Sequence, residues 1–269
     1  MFARFATALV LLAIFCGGLL LLPNDYWALF LLAFLWAASF EWGALAGYSR
    51  AGQWLFAALT AASCLALQFY GPARALYVAV YWVAFVFWLV VAPVWLARRA
   101  QIRNPVALGL AGWVVLVPTW LALVVLQTAP GELIAVMGIV WVADTAAYFA
   151  GRRLGRHPLA PRVSPGKTWE GVAGACLAVA VYYSVLWLIF NAEQPPRDAA
   201  GGIVLFAAAT AMSVQGDLFE SWMKRQAGVK DSGILLPGHG GVLDRIDALT
   251  ASMPLAALWF HYFDQPGFL

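Results

Sequence analysis

The sequence predicts an all-α, polytopic membrane protein of about nine spans with a polar funnel facing the cytoplasm. Three observations carry that prediction. Hydrophobic residues make up 64% of the 269 positions and charged residues only 11%, whereas soluble domains carry about 25% charged residues. There is too little polar surface to keep such a chain dissolved. Apolar runs long enough to cross about 30 Å of hydrocarbon recur along its length, and lysine and arginine collect in alternate loops.

The runs can be bracketed nine times: 6–22, 26–47, 54–69, 75–96, 106–127, 132–150, 171–190, 202–221 and 243–260. The third and ninth are short enough for a re-entrant segment as well as a span. The first, which follows Arg4, also has the outline of a secretory leader. However, 19–23 offers no small-residue cleavage site, which favours a retained helix. Residues 1–130 form an N-terminal group of about five spans. Residues 131–269 hold the remainder, together with the two long loops, 151–170 and 222–242.

Counting basic residues by side fixes an expected direction. With nine spans, the side shared with the N-terminus holds fourteen of the 16 lysines and arginines, and the other side holds only Arg74 and Arg197. Positive loops stay in the cytoplasm, so the N-terminus and both long loops are expected there. No long basic run interleaves with aromatics, which argues against a nucleic-acid partner. Cys16, Cys64 and Cys176 lie inside apolar runs without paired spacing and read as small core residues. Trp27, Trp54, Trp120 and Trp222 fall near span edges, where indole rings commonly anchor to the membrane interface.

Acids inside spans are costly, on the order of 2.5–3.5 kcal/mol each at a helix centre. This chain nevertheless keeps Glu41, Asp144, Asp217, Glu220, Asp244 and Asp247 in or beside spans, all toward the cytoplasmic ends. Asp244 and Asp247, like Asp217 and Glu220, are spaced i and i+3 and share a helix face. Carboxylates gathered at one depth can hold a hard divalent cation that also bridges to substrate phosphates. Three of them have a plainer reading: Asp247 as a helix-start residue, Asp144 paired with Arg152 or Arg153, and Glu41 as a structural partner near Arg50. As a group they are harder to account for in that way.

Two loops suit phosphate. Residues 164–171, Ser-Pro-Gly-Lys-Thr-Trp-Glu-Gly, contain a Gly-Lys-Thr string, but a Walker A loop needs a glycine at position 161, which is proline. No strand is expected before it either. Ser164, Lys167 and Thr168 still offer donors beside a helix start, either as an anion site or as a simple cap. The second loop contains Lys224, Arg225, Lys230 and Asp231, then Pro237-Gly238-His239-Gly240-Gly241. Its glycines allow backbone amides to approach a phosphate, while His239 alone reads more readily as a loop hydrogen-bonder than as a catalytic base.

The pattern Ser221-x-Met223-Lys224-Arg225, Lys230-Asp231-x-Gly233, Pro237-x-His239-Gly240-Gly241-x-x-Asp244-Arg245-x-Asp247 resembles the signature of phosphatidate cytidylyltransferases, with no departure across 221–247. Residues 164–171 and Asp144-x-x-Ala147-Tyr148 resemble further elements of that family; the N-terminal half matches only in being hydrophobic and multi-span. The resemblance implies transfer of CMP from CTP to phosphatidate, giving CDP-diacylglycerol and pyrophosphate in a bacterial inner membrane. It also implies a Mg²⁺ requirement, a monovalent cation such as K⁺ beside it, and a homodimer. Carried over residue by residue, Asp217 and Asp244 are the leading metal ligands, with Asp247 and Asp144 next. Lys224, Arg225, Lys230, Asp231, His239 and Arg245 join them in the expected catalytic set, and Ser164, Lys167, Thr168, Glu170, Ser221, Gly240 and Gly241 are expected around the substrates. Asp244→Asn is expected to cost far more activity than Glu41→Gln. An ion-coupled transporter, which would also keep acids in the membrane, and a cytidylyltransferase acting on another lipid phosphate are the rival readings.

Overall fold

The computed structural model describes residues 13–70, 74–191, 199–235 and 240–263. After a helical stretch at 13–21 come α1 (Asn24–Leu45), α2 (Arg50–Tyr70), α3 (Arg74–Val86), a π-helical turn (Phe87–Val91) and α4 (Ala92–Arg98). These are followed by α5 (Pro105–Leu126), α6 (Pro130–Leu154), the short strands β1 (Pro158–Ala160) and β2 (Ser164–Thr168), α7 (Trp169–Asn191), α8 (Ala199–Gln226) and α9 (Leu243–Phe263). Among the described residues, seven helices are long and apolar enough to cross a membrane, and they coincide with the second to eighth expected spans. The chain is a multi-pass helical membrane protein. Of the expected first span, 6–12 lie outside the described residues and 13–21 are helical. The expected ninth is α9, which opens on Asp244, Arg245 and Asp247 and is not one of the seven.

Helix ends follow local chemistry. Asn104 caps α5 by accepting from the amides of Val106 (2.9 Å) and Ala107 (3.1 Å), and Pro105 follows at the first helical position, where no amide hydrogen is missed. Gly47 adopts φ +75° after α1, letting Tyr48 N–H return to Gly43 O at 2.9 Å.

Orphaned carbonyls inside the bilayer need partners, and two of those that prolines leave here find them on neighbouring helices. In the π turn Ala92 N–H donates to Phe87 O, and Pro93 has no N–H, so Trp88 O has no intrahelical donor; the side chain of Gln215 on α8 donates to it. Pro254 likewise frees Thr250 O on α9, and the hydroxyl of Thr119 on α5 lies 3.2 Å away. Both devices dock neighbouring helices onto the elements that carry the site.

Three of the four tryptophans expected at the interface are buried: Trp27 is 0% exposed, Trp120 2% and Trp222 7%. Their indole N–H groups find carbonyls on other segments. Trp27 donates to Leu123 O (3.1 Å), Trp120 to Ala28 O (3.1 Å) and Trp222 to Ala100 O (3.3 Å). A buried indole satisfied in this way cross-links helices instead of floating at the headgroups. Of the cysteines, only Cys64 is core; Cys176 is exposed on α7.

α9 is the hub, packed chiefly on α8, α5 and α3. α6 and α7 lie close because small residues face each other: a Cβ on Gly174 would overlap the Ala150 side chain, and one on Gly171 would sit 3.0 Å from Ala147 O. Between them runs a structure that the sequence reading denied. β1 and β2 form an antiparallel hairpin, pairing Pro158 with Thr168 and Ala160 with Ser164. The strands are too short and proline-rich to show an alternating pattern. Their hairpin is not the strand–loop–helix unit of a nucleotide-binding P-loop.

Candidate active site

A single cavity of about 510 Å³ opens where α6, β2, α8 and α9 meet. Its wall includes Asp144 and Tyr148 from α6, Lys167 and Thr168 from β2, Asp217, Ser221, Lys224 and Arg225 from α8, and Asp244, Arg245 and Asp247 from α9, with Lys230 and Asp231 from the loop between the last two. The α8 contribution is one helical stripe at i, i+4, i+7 and i+8. The acids that the sequence places on three separate helices therefore share one chamber.

Backbone proximity explains how. Gly216 lies against Asp247 O, so closely that a Cβ there would overlap the oxygen. That approach sets Asp217 beside the first turns of α9. On the other side, Thr168 caps α7 by accepting from Gly171 N–H (3.1 Å), which anchors the end of β2 and the lysine before it.

Each acid has a distinct set of partners. Asp217 forms an ion pair with Lys167 through Oδ2, and Ser221 Oγ lies 3.3 Å from its Oδ1. Lys224 bridges two carboxylates at 2.6 Å each, Glu220 Oε2 and Asp244 Oδ1. The other oxygen of Asp244 accepts from Gly241 N–H (2.8 Å), Ser232 N–H (2.9 Å) and Ser232 Oγ (2.9 Å). Asp247 Oδ1 accepts from Ala248 N–H at 2.8 Å. Asp144 has no ion pair within 4.0 Å among the described residues, so neither Arg152 nor Arg153 neutralises it; Arg152 reaches Tyr148 Oη instead, at 2.7 Å.

Some expected site residues lie elsewhere. Glu170 turns to His157, 2.6 Å from Nδ1 and 3.2 Å from its amide, and does not line the cavity. Ser164 begins β2 away from the wall, and Gly240 and Gly241 act through the loop backbone, Gly240 at φ +80°. His239 lies outside the described residues. Three residues gain roles that the sequence reading did not give them. Glu220 is buried behind Lys224. Ser232 touches Asp244. Glu41 of α1, only 6% exposed, accepts from Val242 N–H (3.0 Å) and Leu243 N–H (2.8 Å), and its Oε2 lies 3.1 Å from Ser232 Oγ. Arg50, its expected neighbour, instead stacks over Phe40 at 4.4 Å.

A second, largely apolar cavity of about 670 Å³ adjoins the first. Leu31, Phe34 and Leu35 of α1, Leu116 and Trp120 of α5, Met137 and Trp141 of α6, and Ile246 and Leu249 of α9 line it. Asp144 and Arg245 belong to both cavities and mark their junction.

As to metal, the described residues contain no group of three acidic, histidine or cysteine side chains converging as a ready-made cage. The donor chemistry still fits magnesium, which is commonly held by one or two carboxylates with substrate phosphates and water completing the shell. The cavity supplies hard oxygen donors from Asp144, Asp217 and Asp247. Asp244 is the most fully engaged of the four.

A sequence model of the cytidylyltransferase family matches residues 2–263. The chain belongs to this family. It is 42% identical over 272 residues to a protein of Pseudomonas aeruginosa named phosphatidate cytidylyltransferase, covering 95% of this chain and 96% of that one. Proteins of the same name from Haemophilus influenzae and Thermotoga maritima are 50% identical over 133 residues and 44% identical over 129 residues. Those two alignments span about half of each chain: 49% and 46% in the first case, 47% and 48% in the second. In this family member the matched stretch takes in every element that lines the cavity.

Proposed function

We propose that this chain transfers CMP from CTP to phosphatidate, giving CDP-diacylglycerol and pyrophosphate. The observation that carries the reading is the junction of a charged cavity with an apolar one at Asp144 and Arg245. A substrate that is phosphate at one end and acyl chain at the other suits that pair of spaces, and the named relatives support the same reaction. An ion-coupled carrier would need no such division.

In the reaction, an oxygen of the lipid phosphate attacks the α-phosphorus of CTP. The new P–O bond forms as the bond from that phosphorus to the bridging oxygen breaks, and the electron pair leaves on pyrophosphate. The attacking phosphate is already ionised near neutral pH, so no side chain need remove a proton. The obstacle is the meeting of two anions: a phosphomonoester alone carries about −1.5 to −2. Lys167, Lys224, Arg225, Lys230 and Arg245 line the chamber and are suited to hold the phosphates in line.

Five carboxylates face those five cations, so the resting chamber is close to neutral and cannot cancel the substrates' charge by itself. This supports a magnesium requirement, with Asp217 and Asp247 as the residues that would hold the ion and Asp144 beside them. When bound it supplies charge neutralisation at the phosphate oxygens. Lys167, paired with Asp217, and Lys224, held between Glu220 and Asp244, are both placed on the chamber wall where phosphate would lie. The excess of basic residues on one side supports a chamber that opens to the cytoplasm across a bacterial inner membrane.

The test uses the purified full chain in detergent with CTP, magnesium and phosphatidate. Pyrophosphate release matched by cytidine label entering the lipid phase, and abolished by a chelator, is the expected result. No release, or release that ignores the lipid acceptor, would overturn the reading.

A further inference from the structure

We infer that Glu41 is a positioning residue for the reaction, acting from the N-terminal half of the chain on the loop that holds Asp244. Its carboxylate accepts the amides of Val242 and Leu243, the residues that open α9, at 3.0 and 2.8 Å. An acid on one helix thus supplies the N-terminal cap of another about two hundred residues away, in the place where a helix's free amides and its dipole favour negative charge. The loop is shaped around this group. A Cβ on Gly233 or on Gly241 would overlap the Glu41 carboxylate, so both positions leave room for it.

The link to the chamber is a single hydroxyl. Ser232 Oγ lies 3.1 Å from Glu41 Oε2 and 2.9 Å from Asp244 Oδ2. Ser232 N–H and Gly241 N–H donate to that same Asp244 oxygen, leaving Oδ1 aimed at Lys224. Glu41 therefore fixes the backbone that fixes Asp244, and through it the ammonium of Lys224. Of the three groups that Glu41 meets on this loop, Ser232 Oγ also touches the cavity acid, and the other two open the helix that carries it.

The activity arm of the test rests on the cytidylyl-transfer reading; a second arm does not. In the full chain, Glu41→Gln keeps the shape but turns an NH₂ group toward amide donors, while Glu41→Asp keeps the charge. Outer-shell changes of this kind cost about 10- to 100-fold. That loss is expected in kcat for Glu41→Gln, with the KM for phosphatidate unchanged, partial recovery in Glu41→Asp, and faster amide exchange at Val242 and Leu243 without substrates. Ser232→Ala should lower kcat as well, and the double variant should lose no more than the worse single. The inference is overturned if activity per folded molecule stays at the wild-type level, if the two effects multiply independently, or if exchange at 242 and 243 is unchanged. Should Glu41→Gln fail to fold, Ser232→Ala and Glu41→Asp decide by the same readouts. Wild-type protein that releases no pyrophosphate would sink the reaction assigned above, while the exchange arm still decides whether Glu41 holds the loop.

Discussion

Gly216 of α8 touches the main-chain carbonyl of Asp247 on α9, leaving no room for a side chain between the two backbones. This contact holds Asp217 and Asp247, acids from different helices, on one chamber wall. Without it the two helices would stand farther apart and the acids would be drawn away from each other.

Gly216→Ala is thus expected to wedge α8 from α9. Overpacking costs about 1–3 kcal/mol, which should appear as a lower thermal midpoint in detergent. Activity should fall further than the folded fraction does. A variant that melts lower yet keeps full turnover per folded molecule would show that the spacing of the two acids does not matter to the chemistry.

Lys167 reaches Asp217 from β2 across about fifty residues of chain. Lys167→Met is expected to lower turnover on the order of 100-fold, the scale seen when one charge-stabilising donor is removed from an active site. Steady-state kinetics with CTP as the varied substrate measures this. A rise in KM alone would mean that Lys167 only holds the nucleotide.

Lys224 is shared by Glu220 and Asp244, all three largely buried, with side-chain exposures of 14%, 4% and 5%. Lys224→Met strands a buried charge and should destabilise the protein by about 3–5 kcal/mol. Adding Glu220→Gln should restore much of that stability but none of the turnover, because stability depends on the pair and catalysis on the lysine. Thermal unfolding and turnover, measured on the same preparations, separate the two.

Leu35 lines the apolar cavity on α1 and has no part in the charged one. Leu35→Trp should narrow the apolar space and raise the KM for long-chain phosphatidate roughly tenfold, equivalent to about 1.4 kcal/mol. The KM for CTP should not change. Equal effects on both substrates would separate the lipid from that cavity.

The membrane spans were legible because hydrocarbon imposes length and composition on each helix separately. Asp144, Asp217, Asp244 and Asp247 were legible as a group because an acid in a span is too costly to be incidental. The β1–β2 hairpin was not, since three and five residues with prolines carry no period. Trp27, Trp120 and Trp222 read as interface anchors because an indole beside a span edge has the same local sequence whether its N–H meets water or a neighbouring carbonyl. Glu170 next to Lys167 and Thr168 looked like part of a phosphate loop, and only the fold of the hairpin turns it to His157. Glu41 was the hardest to read: its partners begin at Ser232, and no spacing rule reaches that far along a chain.

The meeting of the charged and apolar chambers at Asp144 and Arg245 also bears on how a turnover ends. Chemistry at such a boundary sends its two products into different phases. The small, highly charged fragment belongs in water, while the nucleotide-bearing lipid belongs among its acyl neighbours. A shared wall at Asp144 and Arg245 thus lets one protein serve two solvents, with the departure of one product not waiting on the other's path.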